Sequence, residues 1–297
     1  MTPIKLHQLK AFKEVAEQGS IRAASRSLGL SQPSVSKNIK ELEESLGVSL
    51  FSRHSSGITL TLFGEDFFRH VLVILRELEQ AQENIRQHLG SNTGMINIGM
   101  GASLANSLLP AAVVLFRKEF PNVKLMISEG QVEAHLLRLQ QGEFDFCINT
   151  ASPELNSSKF DFERLLDMEY RIYARTGHSL SQATKLSELK DCNWILPVMR
   201  TGYHKHIFDY FTQHGLNPNI EIYSSSYMVA VELLKKTNCL SVLASALSIE
   251  GITPLPMENE LPLATYYLVK RKGTLLSPIA NKFASLFRML SRPMLSR

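Results

Sequence analysis

The chain has only three cysteines in 297 residues, Cys147, Cys192 and Cys239, set about 45 apart with no CxxC pair. That excludes a disulfide framework and a thiolate zinc site as organising features, and the three read as small apolar core residues in a reducing compartment. A redox-active pair among them is the less economical reading. Histidines are equally scattered. His7, His70, His88, His135 and His178 lie far apart, and His204 and His206, one residue apart in an expected helix, face different directions, so no metal or cofactor is expected. No nucleophile elbow, phosphate loop or acid pair stands out, so no catalytic residues are assigned and no enzyme is expected. The N-terminus lacks the charged-then-apolar pattern of an export signal, and no apolar run reaches the roughly 20 residues needed to span a bilayer. The expected location is the cytoplasm, with no membrane partner.

Charge of one sign is also scarce, since the formal net is +4. The excess is unevenly placed. Residues 1–61 hold eight Lys or Arg against five Asp or Glu, whereas the remainder holds 24 against 23. A small positive head suits phosphate contacts of modest strength, multiplied by repeating the head in an oligomer.

What the head contains is a pair of short amphipathic helices. Ser20 is an expected N-cap, and Ile21, Ala24, Ser25 and Leu28 share one face, with Ala23 and Ala24 small enough for a close crossing. Gly29 breaks the helix; Ser31 is the next N-cap and Pro33 sits in the first turn, where a missing N–H costs nothing. Val35, Ile39, Leu42 and Leu46 then form the buried stripe of the second helix. Its opposite, wet face carries Gln32, Ser34, Ser36, Lys37 and Lys40. In a helix-turn-helix the first residues of the second helix reach base edges while nearby cations hold phosphates, and these side chains suit both tasks. Lys5 to Gln18 is a further helix with Leu6, Leu9, Phe12, Val15 and Ala16 apolar. Leu50 to Thr61 reads as two short strands around a Ser-Ser-Gly turn, a wing that would put Arg53 beside the backbone or in the minor groove.

From Leu62 to Gly90 the chain runs without proline, with Phe67, Val71, Ile74, Leu78, Ala81 and Ile85 spaced four, three, four, three and four. That is a heptad seam, and its expected partner is the same helix of a second copy. Double-stranded DNA with a partly symmetric site is therefore the expected partner of the paired heads.

Gly90 to Gly94 forms a hinge, and a second domain is expected over 91–297. Strands at Met95–Met100, Val123–Glu129 and Phe144–Thr150 alternate with helices at Ser103–Phe120 and Val132–Gln141, the pattern of a parallel α/β sheet. Further strands are expected at Phe162–Leu166, Tyr170–Ala174, Trp194–Leu196, Ile220–Tyr223 and Leu240–Leu243, with helices at Tyr203–His214 and Ser226–Lys236. The last strand, Ala264–Lys270, and last helix, Pro278–Leu290, return to the first lobe. Lobe I is placed at about 94–161 and 268–297, lobe II at about 162–267. Ligands of open α/β sheets bind at the C-terminal ends of strands, beside helix N-termini. Gly101, Ala102, Ser103, Gly130, Gln131, Asn149, Thr150, Thr201, Gly202, Tyr203, Ser225 and Ser226 occupy such ends. Their N–H groups and hydroxyls favour a carboxylate. Singly, each also reads as an ordinary cap. A small organic effector is expected, carboxylate-bearing or aromatic, and Tyr203 with Glu129 leaves an amine-bearing one open.

The head resembles the DNA-binding domain of LysR-type transcriptional regulators. The resemblance rests on Phe12, Val15, Ala16, Glu17, Gly19, Ser20, Ala23, Ala24, Leu28, Ser31, Gln32, Pro33, Ser34, Val35, Ser36, Ile39, Leu42, Glu43, Leu50, Phe51 and Arg53, and His54, at a variable position, is assigned no base contact. It implies that Gln32, Pro33, Ser36 and Lys37 lie at the DNA and that Arg53 grips it from the wing. It further implies a winged helix-turn-helix, a linker helix and a two-lobed α/β effector domain like periplasmic binding proteins. A homotetramer built as a dimer of dimers and recruitment of RNA polymerase also follow from it. So do activation of a neighbouring gene or operon and autorepression. The alternative is a constitutive repressor whose second domain no longer senses a ligand.

Overall fold

The computed structural model describes residues 3–54, 57–151, 157–197, 202–245 and 249–292. It divides into two compact units, Met1–Arg86 with Gln140–Glu143, and Gln87–Leu139 with Phe144–Arg297.

In the first unit, α1 (Leu6–Gln18), α2 (Ile21–Leu28) and α3 (Gln32–Leu46) are followed by a hairpin of β1 (Phe51–His54) and β2 (Gly57–Leu60) and by α4 (Leu62–His88). Caps set the helix starts. The Ser20 hydroxyl accepts from the Ala23 N–H at 3.4 Å and the Ser31 hydroxyl from the Ser34 N–H at 3.3 Å, as the sequence predicts. Leu9, Phe12 and Val15 of α1 are buried with Ala24, Val35, Ile39 and Leu42, whereas Leu6 in the first turn stays exposed. Phe12 is the centre of this core, its ring 5.2 Å from Phe51 and 5.3 Å from Phe67. Glu43 ties α3 to the wing, its Oε1 accepting from the N–H groups of Leu50 at 2.7 Å and Phe51 at 3.2 Å. A carboxylate at that place joins two elements.

The second unit contains two lobes of matching topology. Lobe I holds β3 (Gly94–Met100), α5 (Ala102–Glu119), β4 (Val123–Glu129), α6 (Val132–Gln140) and β5 (Phe146–Thr150), with β6 (Phe160–Met168). Lobe II holds β7 (Tyr170–Arg175), a 3-10 turn (Leu186–Leu189), β8 (Asn193–Leu196), α7 (Gly202–Gln213), β9 (Asn219–Tyr223), α8 (Tyr227–Lys236), β10 (Ser241–Ala244) and β11 (Ile252–Pro254). The chain returns through β12 (Ala264–Arg271) and α9 (Pro278–Ser291). Lobe I is a five-stranded sheet ordered β4-β3-β5-β12-β6, parallel in its first three strands and antiparallel thereafter. In lobe II, β8 pairs parallel with β9, and β10-β7-β11 is antiparallel. The Ile195 N–H donates to Leu240 O and the Leu240 N–H to Asn193 O, both at 2.8 Å, so β8 also runs beside β10. Each lobe is thus a βαβαβ unit completed by antiparallel strands.

The lobe boundaries depart from the sequence reading. β6 lies in the sheet of lobe I, not in lobe II, pairing with β12 from Met168↔Ala264 to Phe160↔Arg271. The chain therefore enters lobe II at Glu169 and leaves it just before Ala264. The reason is long-range: β6 and β12 are about 100 residues apart and each reads alone only as a strand. Their pairing completes the backbone of β12, which lies between β5 and β6, leaves β6 as the sheet edge, and accompanies burial of Leu165, Leu166, Tyr266 and Leu268. α9 closes lobe I, with the Phe283 ring 4.8 Å from Phe116 on α5 and Arg288 forked onto Glu163 at 2.6 and 2.8 Å.

Candidate functional site

Two sites emerge, one in each unit. In the first, the N-terminal turns of α3 hold Gln32, Pro33, Lys37 and Lys40 exposed and Ser34 and Ser36 half-buried, while Val35, Asn38 and Ile39 on the other side are buried. Burial of that stripe fixes the rotation of α3, so the short polar groups stand together in solvent. Lys37 and Lys40 face Glu41 and Glu44 one turn on, at 3.8 and 3.7 Å. Exposed i,i+4 pairs of this kind are weak and leave both cations available to phosphates. Arg53 is on β1 opposite Ile58; its side chain lies outside the described residues, as do Ser55 and Ser56 of the expected turn.

The heptad seam of α4 divides in two. Val71 is buried and Phe67 half-buried in the core of the first unit, with Leu75 beside them, because the first turns of α4 lie against Phe12. These two are core residues, which corrects the expectation of one continuous free seam. Beyond them Ile74, Leu78, Ala81 and Ile85 are exposed, Ile85 by 62%, an apolar stripe that nothing in the chain covers among the described residues.

In the second unit, the C-terminal strand ends of both lobes face one cavity of about 100 Å³. Lobe I lines it with Gly101, Ala102 and Ser103 at the start of α5, Glu129 to Val132 between β4 and α6, Asn149 and Thr150 ending β5, and Tyr266. Lobe II adds Tyr170, Ile195, Pro197, Tyr203, His204, Ser224 to Tyr227, Ala230 and Ser241 to Ala244. Equivalent strand ends therefore meet across the cleft, bringing the N-termini of four helices to it. Gly202 opens α7 beside Tyr203, and Thr201 lies outside the described residues.

Hydroxyls join the two lobes at the cleft. The Ser103 and Tyr170 hydroxyls are 2.8 Å apart, the Tyr170 and Tyr266 hydroxyls likewise, and the Tyr203 hydroxyl donates to Pro262 O at 2.7 Å. The Tyr170 and Tyr203 rings pack at a tilt with their centroids 4.4 Å apart. Burial pushes the phenols of Tyr170, Tyr203 and Tyr266 up, so all three are neutral hydrogen-bond groups at any physiological pH.

Beneath the cleft, a buried histidine orients Asn149. The Asn149 Oδ1 accepts from the Thr150 N–H at 2.9 Å, which fixes the amide so that its Nδ2 donates to Gly130 O at 3.1 Å and meets His135 Nδ1 at 3.3 Å. His135 Nδ1 is therefore the acceptor and the ring proton sits on Nε2, which has no partner. Burial, reinforced by Arg138, lowers His135 to about 4. Space is tight here: a Cβ on Gly101 would lie 2.8 Å from Asn149 Oδ1, and one on Gly130 3.0 Å from His135 Nε2. Both positions need glycine for close approach.

Of the effector residues read from sequence, Gly101, Ala102, Ser103, Gly130, Gln131, Asn149, Thr150, Tyr203, Ser225 and Ser226 line this cavity. Sequence reasoning missed Tyr170, Tyr227, Tyr266 and His204. His204 lines the cleft from the first turn of α7, and burial lowers its pKa while the Glu133 carboxylate opposes that shift. Three of these four sit at or beside strand and helix starts, where the signal existed but was indistinguishable from an ordinary boundary. Tyr266 carried no signal, since it lies inside a strand. Cys147 and Cys239 are buried and Cys192 half-buried, all as free thiols, and burial pushes Cys147 up to about 12. Among the described residues no group of three or more His, Cys, Asp or Glu is placed to hold a metal ion, and no helix is long and apolar enough to cross a membrane.

Comparison with known proteins matches both units. Residues 6–65 match the bacterial regulatory helix-turn-helix of the lysR family, and residues 89–291 match the LysR substrate binding domain. The transcriptional regulator TdcA of Escherichia coli K12 is 26% identical over 292 residues, covering 95% of this chain and 94% of its own. GbpR of Azospirillum brasilense is 27% identical over 297 residues, covering 97% and 87%. The crystal structure of full-length CbnR complexed with its target DNA shares the fold at a TM-score of 0.70 and 20% identity, covering 96% of this chain and 99% of that one. The sequence also resembles the regulator of aminobenzoyl-glutamate utilisation, a narrower likeness that these relatives do not confirm.

Proposed function

This chain belongs to the LysR family of DNA-binding transcriptional regulators, and we propose that it is a one-component switch in which a small organic effector, held between lobes I and II, changes how paired heads sit on a promoter. The observation that carries this reading is the meeting of equivalent strand ends on one cavity, lined by residues at four helix N-termini and by several hydroxyl-bearing side chains. Partial positive charge at those termini favours a carboxylate. A ligand held by both lobes shifts the protein only by binding one lobe arrangement better than the other.

In this reading Gln32, Pro33, Ser34, Ser36, Lys37, Lys40 and Arg53 contact double-stranded promoter DNA. The exposed stripe Ile74, Leu78, Ala81 and Ile85 covers its counterpart in a second copy, and two dimers form a tetramer. The protein works in the cytoplasm, recruits RNA polymerase to a neighbouring gene and represses its own. Footprinting the upstream region of its own gene, with and without candidate effectors, tests the whole. A footprint that changes with one ligand class is expected; one unchanged across a broad set would instead fit a constitutive repressor. Gln32→Ala should weaken specific binding by about 1–3 kcal/mol while sparing random duplex. An unchanged specific-to-random ratio would remove Gln32 from base reading.

A further inference from the structure

We propose that the effector is a small zwitterion, its ammonium held between Glu129 of lobe I and Tyr227 of lobe II and its carboxylate at the helix N-termini. The inference rests on the effector reading of the cleft and adds the chemical class of the ligand. Glu129 ends β4 at the cavity wall, and among the described lining residues it carries the one formal charge. A carboxylate there is out of place in a site built only for an anion, since it repels the group that the N-termini attract. It is in place if the ligand also carries a cation.

Tyr227 supplies the second half of the argument. Its hydroxyl is buried at the cavity and has no hydrogen-bond partner, a state that costs about 1–3 kcal/mol unless something fills it. Burial raises its pKa, with Tyr173, Tyr170 and the Glu129 carboxylate adding to the rise. Glu129 and Tyr227 thus line one cavity from opposite lobes. Tyr227 remains protonated, and its oxygen lone pairs, with the Glu129 oxygens, form a pair of acceptors suited to an N–H donor of positive charge. The aromatic rings of Tyr170 and Tyr203 line the same cavity, and an aromatic lining suits a cation better than an anion.

The carboxylate end of the ligand meets donors in the same cavity. α5 starts at Gly101 and α8 at its N-cap Ser226, whose hydroxyl already caps the Val229 N–H, so the free N–H groups of those first turns are the carboxylate's partners. The cavity is smaller than the roughly 150 Å³ void that admits benzene. A small aliphatic α-amino acid fits this combination of size and charge. A ligand that engages acceptors from both lobes also links its own binding to lobe closure.

The test uses the full-length protein and matched trios: L-alanine, propionate and ethylamine; L-serine, 3-hydroxypropionate and ethanolamine; L-valine, 3-methylbutanoate and isobutylamine. Binding is read by thermal shift and calorimetry, with galactose and succinate as a neutral and a dianionic probe. At least one amino acid should bind roughly tenfold or more tightly than both of its truncated partners. Glu129→Gln should abolish the preference over the desamino acid, and Tyr227→Phe should reduce it, each compared only after its ligand-free melting has been shown to match the parent. A desamino acid or succinate binding as tightly as the amino acid overturns the zwitterion but leaves an effector site. Failure of all trios overturns it too, while galactose or succinate binding alone would keep the effector reading intact.

Discussion

The DNA-reading unit and the two-lobed unit use the chain in opposite ways. In the first, the surface proposed to act is one face of one helix, Gln32 to Lys40, and its placement follows from burial of Val35, Ile39 and Leu42 on the other face. In the second, the cavity is assembled from strand ends between Gly101 and Tyr266, and no two consecutive elements could make it alone. A helix face tolerates change at its exposed positions because each acts almost singly. A cleft whose groups bond to one another does not, since removing one leaves its partners buried and unsatisfied.

The largest test of this contrast is to damage each core in turn. Phe12→Ala should destabilise the first unit by about 3–5 kcal/mol and abolish DNA binding, while thermal stabilisation of the second unit by a ligand persists. Phe283→Ala should do the reverse. If either substitution removes both functions together, the units are not independent and the comparison breaks. A pH titration is next in size. His135 is 2% exposed and its folded pKa, about 4, is below the ordinary 6.5. The neutral ring is the folded form, so its contribution is whole above about pH 6.5 and is lost as pH falls toward 4. The loss is on the order of 3 kcal/mol, visible in urea melts of the second unit. His135→Gln should flatten that window.

Smaller again is Tyr170→Phe, which strands the hydroxyls of Ser103 and Tyr266 at the cost of about 1–3 kcal/mol in the second unit. Equilibrium denaturation reads it, and a change below about 0.5 kcal/mol would show that the hydroxyls rearrange freely. The smallest structural effect belongs to Lys40→Ala. Folding stability should stay within about 0.5 kcal/mol of the parent, whereas the slope of log DNA affinity against log salt should fall by about one. A stability loss above 1 kcal/mol would show that the α3 face is bound into the fold after all.

Legibility followed the same division. The head was readable because caps, stripe and wet face lie within about fifteen residues, and helical period alone sorts them. The α4 seam was half readable. Its period was visible, but Phe67 and Val71 serve the head's own core, a choice made by the packing of Phe12. In the second unit, strands, helices and most cleft-facing small residues were visible as boundaries. The place of β6 beside β12 was not, and neither was the inward turn of Tyr170, Tyr227 and His204, whose local sequences look like any strand or helix start.

By itself, the order of residues determined the elements, the two-unit plan, the polar face of α3 and the glycine and serine ends from which a cleft could be built. Those depend on local forces: helical period, caps, and the backbone freedom of glycine. Tertiary structure alone decided which ends meet, that Asn149 is held by His135, and that Glu129 of one lobe and Tyr227 of the other face the same cavity. Strand pairing and desolvation act between residues tens to a hundred positions apart, and nothing in a single stretch of chain records its distant partner.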